Sequence, residues 1–479
     1  MLACTEAVAR KDGMSTADVV DVASFIDERH VSRAQLGVGL ICALVLLCDN
    51  MDLQAIAYSG PSLMSELGLQ PGELGRVFSA GLFGMALGAV IFGPLADRFG
   101  RRTVMVVSVP LFAVFTVLTA FADTTGALVL LRFLAGLGFG GAMPNAMSLI
   151  AEYLPTRTRL TWLGLFASGF TLGGAVAGFI AAPVVTQYGW RAVYLIDGGL
   201  SLVVAVLVWL YLPESLRFMA SRPGRAPAIR KMLGRIDPRA AIAPDARYTE
   251  GAAVPKRTPV ILLFTQGRAW ITLPLWITSF CFLLDIYFVV NWTPILARQN
   301  GIPLGKALLA PALFQVGATV AGLSVGFLMN RLRPQPVMVV LGLAASLSVA
   351  ALGYLGGEAS SLLALSAVCG LFVVGSQTAA NLSATTLVPT AIRTTSIGWV
   401  LGVGRIGSFV GPLLGGALLA AHWAPWTLFL FAAVPPLVAA VAALALATGA
   451  ARAAISAGVE AERPGQRGLH TAASIGADR

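Results

Sequence analysis

Charged side chains are scarce in this 479-residue chain, because Asp, Glu, Lys and Arg together make up only 12% of it. A typical soluble domain carries about 25% charged residues, so the composition argues against an ordinary soluble protein. Hydrophobic residues take their place and account for 57% of the sequence. This balance is typical of a protein embedded in lipid.

Cysteine and histidine are rare and scattered. The residues are Cys4, Cys42, Cys48, Cys281, Cys369, His30, His422 and His470. No CxxC spacing or local His/Cys cluster occurs, which argues against a disulfide framework or a zinc site. The sequence also lacks a phosphate-binding glycine loop and a nucleophile paired with histidine. We therefore predict no enzyme activity, no metal and no cofactor.

Long apolar runs predict an all-α membrane protein with twelve transmembrane helices. A helix needs about 20 mostly apolar residues to cross a hydrocarbon core roughly 30 Å thick. The predicted spans are residues 35–58, 76–96, 103–122, 127–152, 160–185, 190–212, 270–296, 307–330, 335–356, 361–385, 395–420 and 425–448.

The remaining segments divide the chain. We predict two six-helix halves, at residues 35–212 and 270–448, joined by a cytoplasmic basic loop at 213–269. A cytoplasmic N-terminal tail at 1–34 precedes them, and a cytoplasmic C-terminal tail at 449–479 follows them. The first 33 residues are mixed and charged and lack the apolar core of a secretory signal. Both tails are expected to be disordered, and the loop is too short and polar to bury a core.

Basic residues fall between the apolar runs, most densely at 217–268. Arg98, Arg157, Arg331 and Arg393 lie in connections on one side of the predicted bundle, whereas the connections after spans 3, 9 and 11 carry no Lys or Arg. The positive-inside rule then places both termini in the cytoplasm. This arrangement accounts for the formal charge of +10 without a nucleic-acid partner.

An internal repeat supports two pseudo-symmetric halves. The run GPLADRFG at 93–100 aligns with GFLMNRLR at 326–333 at an offset of 233 positions. An offset of 234 positions aligns LPT at 154–156 with VPT at 388–390. Parallel repeats of six spans are a known construction of membrane transporters.

Two motifs carry a family resemblance. The run GPLADRFGRR at 93–102 resembles the loop between spans 2 and 3 of the major facilitator superfamily, and RFLAG at 132–136 resembles its span 4 motif. The resemblance implies the major facilitator fold. The span 4 motif further implies that Arg132 is the proton-coupling partner of an acid in span 1. The alternative for Arg132 is snorkelling to the outer interface.

Three further segments resemble the aromatic acid:proton symporter family within that superfamily. They are DNMDLQA at 49–55, GFGGAMPN at 138–145, and the stretch from 389 to 412 that contains PTAIR, GVGR and GP. The first segment and the pair Asn291-Trp292 resemble hydroxyphenylpropionate carriers somewhat more than hydroxybenzoate carriers. The resemblance implies import of a small aromatic acid with protons across the bacterial inner membrane, by a carrier that is a monomer by superfamily default.

Acids inside the apolar spans are functional candidates, because an ionisable residue at mid-helix costs at least about 2.5–3.5 kcal/mol. Asp49 and Asp52 lie three residues apart and share one helix face. Neighbouring acids resist double ionisation, so one can load and release a proton. The alternative is a structural acid paired to a neighbouring helix. Asp285 and Trp292 in span 7 are further candidates for substrate binding, with core packing as the equal alternative.

A carboxylate substrate needs a fixed cation, and Arg405 in span 11 is the candidate because a guanidinium matches a carboxylate with two parallel hydrogen bonds. Its alternative is a partner for a buried acid. Ring hydroxyls need neutral partners, and the amides that lie in apolar spans are Asn145, Asn291, Gln377 and Asn381. Each alone is more often an interhelical tie.

Charged residues at the helix ends are predicted to act in gating. These are Asp97, Arg98, Glu152, Arg159 and Arg393. Charge-assisted bonds across helix ends hold one access state and break in the other, so a conformational role is favoured over substrate contact.

The alternative function is a drug or metabolite:proton antiporter of the same fold. Its hallmark GxxxGPxxGG pattern occurs here at 407–416 in span 11, whereas exporters carry it in span 5. Close packing by small residues explains the pattern equally well. A membrane sensor is disfavoured because no segment outside the spans is predicted to fold into an output domain.

Overall fold

The computed structural model describes residues 19–240, 243, 246–249, 259–389 and 392–446. Within these residues, twelve helices are long and apolar enough to cross a membrane, which confirms the predicted count. We number them α1 to α12. Their bounds are α1 Arg33–Leu67, α2 Pro71–Phe99, α3 Arg101–Thr119, α4 Thr125–Tyr153, α5 Arg159–Tyr188, α6 Trp190–Tyr211, α7 Ala269–Gln299, α8 Leu304–Arg331, α9 Pro334–Leu355, α10 Ala359–Thr386, α11 Arg393–Ala420 and α12 Pro425–Leu446.

Helix α1 is longer than its predicted span of residues 35–58 because local signals set its ends. Ser32 accepts a hydrogen bond from the backbone N–H of Gln35, and the Gln35 side chain accepts one from the Ser32 N–H. This capping box satisfies two of the N–H groups that a helix start leaves free. At the other end Gly68 adopts φ +65°, a left-handed conformation that glycine reaches without steric cost.

The helices form two halves with matching internal packing. In the first half α2 packs on α4 and α1 on α5, and in the second half α8 packs on α10 and α7 on α11. Between the halves α2 meets α11, α5 meets α8 and α1 meets α7. The predicted division into two pseudo-symmetric six-helix halves is confirmed.

The halves touch backbone to backbone at the end of the bundle where α1 joins α2, which we call the far end. A Cβ added at Gly75 would lie 2.9 Å from the Pro412 carbonyl oxygen and 3.3 Å from the Cα of Gly416. Close by, the Ser79 hydroxyl donates to the Phe409 carbonyl at 2.7 Å. Small residues therefore let α2 and α11 meet backbone to backbone. The opposite end, where α1 begins, is called the tail end.

At the tail end, parts of the N-terminal segment and the central loop fold together. Strand β1, Val19–Asp21, pairs in parallel with strand β2, Arg247–Thr249. The short helices Val22–Asp27, Leu216–Ala220 and Ala226–Ile236 lie beside them. We call this assembly the tail-end clasp.

The clasp corrects the expectation of a disordered tail for residues 19–27, and of a loop that buries no apolar core. Phe25 and Ile26 are buried in one apolar cluster with Ile229 and Leu233 of the loop. The helix Ala226–Ile236 turns its apolar residues to one face, and it packs against the short helix Leu216–Ala220, strand β2 and helix α1. The predicted C-terminal tail, residues 449–479, lies outside the described residues.

An ion pair closes the clasp, and it predicts an acid-sensitive contact. Arg29 Nε donates to the Asp237 carboxylate at 2.8 Å. The hydrogen bonds from Arg29 and from the Arg239 backbone lower the pKa of the Asp237 carboxyl. Because the folded-state pKa is depressed, the stabilisation is present above the ordinary Asp pKa of about 3.9 and is lost as the pH falls through the lower folded value.

We expect Asp237→Asn to remove this acid-dependent part of clasp protection. The measurement is hydrogen exchange of peptides covering Val19–Asp27 across an acid pH series, corrected for intrinsic exchange rates. Asp123→Asn, at the far end, is the matched control and should leave the profile unchanged. Equal pH dependence in the wild type and Asp237→Asn would contradict the assignment.

Candidate functional site

The middle of α1 carries a group of polar side chains that are buried in the bundle. Asp49 and Asp52 are fully buried, and Asn50 and Gln54 are at most 3% exposed. Helix α1 contacts α4, α5 and α6 of its own half and α7 of the other half. The two acids therefore lie at the centre of the bundle.

Asp52 is paired with Arg132 of α4. Arg132 Nη1 lies 3.1 Å and 3.0 Å from the two carboxylate oxygens, and Nη2 donates to the Thr119 hydroxyl at 2.8 Å. The guanidinium carbon lies 4.9 Å from the centre of the Tyr194 ring. Arg132 is only 4% exposed, so the snorkelling alternative does not apply. The structure thus brings the predicted coupling pair into direct contact.

A second charged group spans the boundary between the halves. Asp49 of α1 interacts electrostatically with Arg405 of α11, and both interact with Tyr287 of α7. Within the described part of the chain, the two Asp49 carboxyl oxygens and Arg405 Nη1 are buried without a hydrogen-bond partner. Asp49 and Arg405 are therefore near each other without being hydrogen-bonded, and each keeps bonding capacity that a ligand or a proton could use.

A cavity of about 10 Å³ lies beside the Asp52 pair, room for roughly one water molecule. Arg132 and Phe78 line it from the first half, and Tyr287 and Asn291 line it from the second. The Asn291 amide donates to the Tyr287 carbonyl at 2.6 Å. Of the predicted amides, Asn291 is the one that reaches this cavity among the lining residues described.

The other predicted amides are hydrogen-bonded to protein groups, and Gln377 is the one whose bond joins two helices among the described residues. Gln377 donates to the Ser279 hydroxyl of α7 and to the Asn381 side chain, both at 3.1 Å, so it joins α10 to α7. Asn145 donates to the Gly141 carbonyl of its own helix at 2.7 Å. Gln377 still has one buried oxygen without a partner among the described residues.

Asp285 and Trp292 have different neighbours. Trp292 Nε1 donates to the Pro412 carbonyl at 3.2 Å, and its ring meets Phe78 edge-on at 5.5 Å. Trp292 thus fills the junction of α7, α11 and α2 at the contact between halves. Asp285 is fully buried, and its ionisable neighbours are the thiols of Cys281 and Cys369.

The predicted gating residues lie at the tail end. Glu152 pairs with Arg101 at 2.9 Å and accepts a short hydrogen bond from Ser215. Arg159 lies 3.8 Å from Asp27 and donates to the Leu154 carbonyl. These contacts all connect parts of the first half, the tail and the loop.

The remaining predicted gating residues end or begin helices. Asp97 and Arg98 are exposed near the end of α2, where the Arg98 carbonyl accepts a bond from Arg222. Arg393 begins α11, and its Nε is buried without a hydrogen-bond partner among the described residues.

Asp197 and Gln315 are among the buried polar residues that the sequence analysis missed. Asp197 of α6 is 2% exposed, and Gln315 of α8 is 5% exposed. A Cβ added at Gly174 would meet the Gln315 amide and also lie 2.7 Å from Asn50 Nδ2, so Gln315 comes close to α1 and α5 across the boundary. The signal was available, since each is a polar residue inside an apolar run.

The glycine pattern of α11 serves packing. A Cβ added at Gly407 would lie 3.0 Å from the Phe280 carbonyl carbon, and one at Gly411 would lie 3.2 Å from that of Leu284. Both contacts bring α11 against the backbone of α7. The pattern therefore has a structural explanation in this chain that does not require export.

Among the described residues, twelve apolar helices in two halves around a buried charged centre define a multi-pass membrane protein. The chain belongs to the Major Facilitator Superfamily, whose family model matches residues 42–361. This confirms the predicted superfamily and the assignment as a transporter rather than an enzyme.

Characterised relatives are similar over most of the chain. A gallate transporter of Pseudomonas putida is 37% identical over 427 residues, covering 89% of this chain and 95% of the relative. A 4-hydroxybenzoate transporter of the same species is 37% identical, covering 85% and 92%. The 3-(3-hydroxy-phenyl)propionate transporter of Escherichia coli K12 is 33% identical, covering 81% and 88%. The resemblance to aromatic acid transporters is confirmed. The predicted closer resemblance to hydroxyphenylpropionate carriers is not supported, because the gallate and 4-hydroxybenzoate transporters are 37% identical and the 3-(3-hydroxy-phenyl)propionate transporter is 33% identical.

Solved structures share the fold. A bacterial homologue of the human lysosomal transporter Spinster, inward-facing and occupied, gives a TM-score of 0.64 at 17% identity and covers 88% of this chain and 96% of that one. A D-xylose-proton symporter gives 0.65 at 17% identity, with 83% and 96% covered.

Proposed function

We propose that this chain is a proton-coupled symporter that imports aromatic carboxylates of the hydroxybenzoate or hydroxyphenylpropionate type. It acts as a monomer in the bacterial inner membrane, with both termini in the cytoplasm. The gallate, 4-hydroxybenzoate and 3-(3-hydroxy-phenyl)propionate transporters among its relatives support this substrate class.

The observation that carries the proposal is the incompletely bonded charge at the boundary between the halves. Arg405 keeps a buried N–H group without a partner within the described residues. A carboxylate can take that group through a charge-assisted hydrogen bond, and the adjacent Tyr287 offers a flat wall for an aromatic ring. Because Asp49 lies in the same electrostatic group, its protonation would favour entry of the substrate anion.

Coupling follows from charge balance in a buried site. An anionic ring bound near Asp49 and Asp52 adds a negative charge to a region shielded from water, which is costly unless a proton accompanies it. A substrate loaded together with a proton lets the halves rock around the site, as alternating access requires.

The gates follow from the assigned orientation. With the termini in the cytoplasm, the contacts of Gly75 and Ser79 with α11 form the outer gate. Glu152 and Arg159, with Asp97, Arg98 and Arg393, act at the cytoplasmic end by making and breaking charge-assisted bonds.

The decisive test is uptake of labelled gallate, 4-hydroxybenzoate and 3-(3-hydroxyphenyl)propionate by cells expressing the chain, with and without a protonophore. We expect at least one acid to accumulate, and the protonophore to abolish accumulation. No protonophore-sensitive uptake of any of the three would contradict the proposal, and energy-dependent efflux would favour the antiporter alternative.

Arg405 variants sharpen the same test. Arg405→Ala should weaken substrate binding by about 2–5 kcal/mol, seen as a raised KM, because one partner of a buried charge pair is lost. Arg405→Lys keeps the charge but not the planar fork and should show a smaller rise. Arg331→Ala is the matched control, since Arg331 ends α8 and stacks on Phe327 at 4.2 Å. An unchanged KM in Arg405→Ala would reject Arg405 as the substrate cation.

A further inference from the structure

Asp197 is a buried acid that the proposed function leaves without a role. Its carboxyl group is 2% exposed, and neither oxygen has a hydrogen-bond partner in the portion of the chain that the structure describes. A carboxylate in such a place is strongly disfavoured as an isolated ion, so the group is stable there as the neutral acid or beside a cation.

The cation near Asp197 is Arg132. Asp197 interacts electrostatically with both Asp52 and Arg132. Tyr194, one helical turn earlier on α6, places its ring 4.9 Å from the Arg132 guanidinium. Residues three apart on a helix share a face, so Asp197 points to the same region as Tyr194.

Arg132 has a donor to spare. Its Nη1 donates to the Asp52 carboxylate and its Nη2 donates to the Thr119 hydroxyl, whereas Nε is buried without a partner among the described residues. Two acids therefore compete for one guanidinium, and only one of them is bonded to it in this conformation. We call Asp52, Arg132 and Asp197 the triad. Arg132 can pair with Asp52 or with Asp197, and the net charge of the triad is the same in both arrangements.

Among the described residues, α1 brings Cys48, which interacts with Asp197, and Asp49 near this position. On α6 itself the nearby ionisable group is Tyr194, and Arg191 and Tyr211 lie at the ends of that helix. The ionisable side chains of α3 and α5, which pack against α6, lie at the helix ends, as Arg101 and Arg102 on α3 and Arg159 and Tyr188 on α5.

We propose that Asp197 is a second proton-carrying carboxyl group of this transporter, exchanging Arg132 with Asp52. A proton that binds the Asp52 carboxylate breaks its ion pair with Arg132. The freed guanidinium then bonds to Asp197, which ionises and gives its proton to water on the side to which the carrier is open at that stage. One proton has entered at Asp52 and one has left from Asp197, and the triad carries the same net charge before and after.

The inference rests on the proposed function, because it assumes proton coupling. It adds that the proton passes through the interior of the first half, whereas the substrate binds between the halves. A defect at Asp197 should therefore uncouple transport without removing the substrate site.

The test uses the purified full chain in proteoliposomes with labelled 4-hydroxybenzoate as the probe. With a gradient of about one pH unit, a wild type that moves one proton per substrate accumulates it up to about tenfold. Asp197→Asn should lose this accumulation, yet exchange labelled for unlabelled substrate at equal pH within about twofold of the wild-type rate. Asp197→Glu should restore accumulation, and Asp123→Asn is the charge-matched control outside the triad.

The outcomes separate the two proposals. If the wild type exchanges substrate but never accumulates it, proton coupling fails and Asp197 fails with it. If the wild type and Asp197→Asn accumulate alike, or if Asp197→Asn folds but loses exchange as well, only the Asp197 assignment is overturned. Should Asp197→Asn not yield a monodisperse protein, Asp197→Glu decides: a displaced pH profile of uptake supports the assignment, and an unchanged profile rejects it.

Discussion

Replacing Arg132 by Met is expected to lower the free energy of unfolding by about 3–5 kcal/mol and to abolish pH-driven accumulation. Asp52 would keep its buried position but lose the cation that lies 3.0 Å away. When one partner of a buried ion pair is removed, the other must either stay charged without a partner or become neutral, and both outcomes destabilise the folded state. Thermal unfolding in detergent and uptake into proteoliposomes measure the two effects.

The double variant Asp52→Asn/Arg132→Met separates folding from coupling. With both charges gone, most of the lost stability should return, because replacing a buried pair by neutral groups of similar volume is often neutral or stabilising. Accumulation should stay absent. Thr119→Val, which removes one hydrogen bond to Arg132, is the milder control at about 1 kcal/mol. A single Arg132→Met variant as stable as the wild type would contradict the importance of the pair.

Replacing Gly75 by Val should push the transporter toward a state in which α2 and α11 are separated at the far end. The added Cβ alone would lie 2.9 Å from the Pro412 carbonyl oxygen. Overpacking costs about 1–3 kcal/mol, which corresponds to roughly 5- to 150-fold in a conformational equilibrium. Because the clash exists only while the halves touch there, the cost falls on one state.

The measurement is labelling of a cysteine introduced at Gly81, which lines the small central cavity. A membrane-impermeant maleimide added outside should react faster in the Gly75→Val background, and net uptake should fall because closure is penalised. Gly72→Val is the matched control on the same helix, since a Cβ there meets nothing within 4 Å. Equal labelling rates in the two backgrounds would show that Gly75 does not close the outer gate.

Much of the fold could be predicted because lipid acts on each segment separately. A helix that crosses the membrane must be long and apolar by itself, whatever its neighbours are, so the twelve runs in the sequence correspond to twelve helices in the described part of the chain. The tail-end clasp was missed for the opposite reason. Residues 19–21 form a strand only by pairing with 247–249, far away in the chain, and three residues carry no pattern of their own.

The candidate site divides in the same way. Asp49 and Asp52 were visible as acids in an apolar run, and Asp197 was equally visible although it was overlooked. The residues that contact these acids could not be predicted from the sequence. Nothing in the local sequence indicates that Thr119 and Tyr194 hold Arg132, or that Trp292 bonds to the Pro412 carbonyl 120 residues away.

The amino-acid sequence by itself determined the number of spans, their two-fold repetition and the presence of charge inside the membrane, since each is a property of a single stretch of chain. Only the tertiary structure decided which charges are paired and which are left with free bonding capacity. Asp52 meets Arg132 across 80 residues, and Ser79 meets Phe409 across 330. Such contacts depend on the rotation and depth of helices packed against one another, and those are set by side-chain packing between segments.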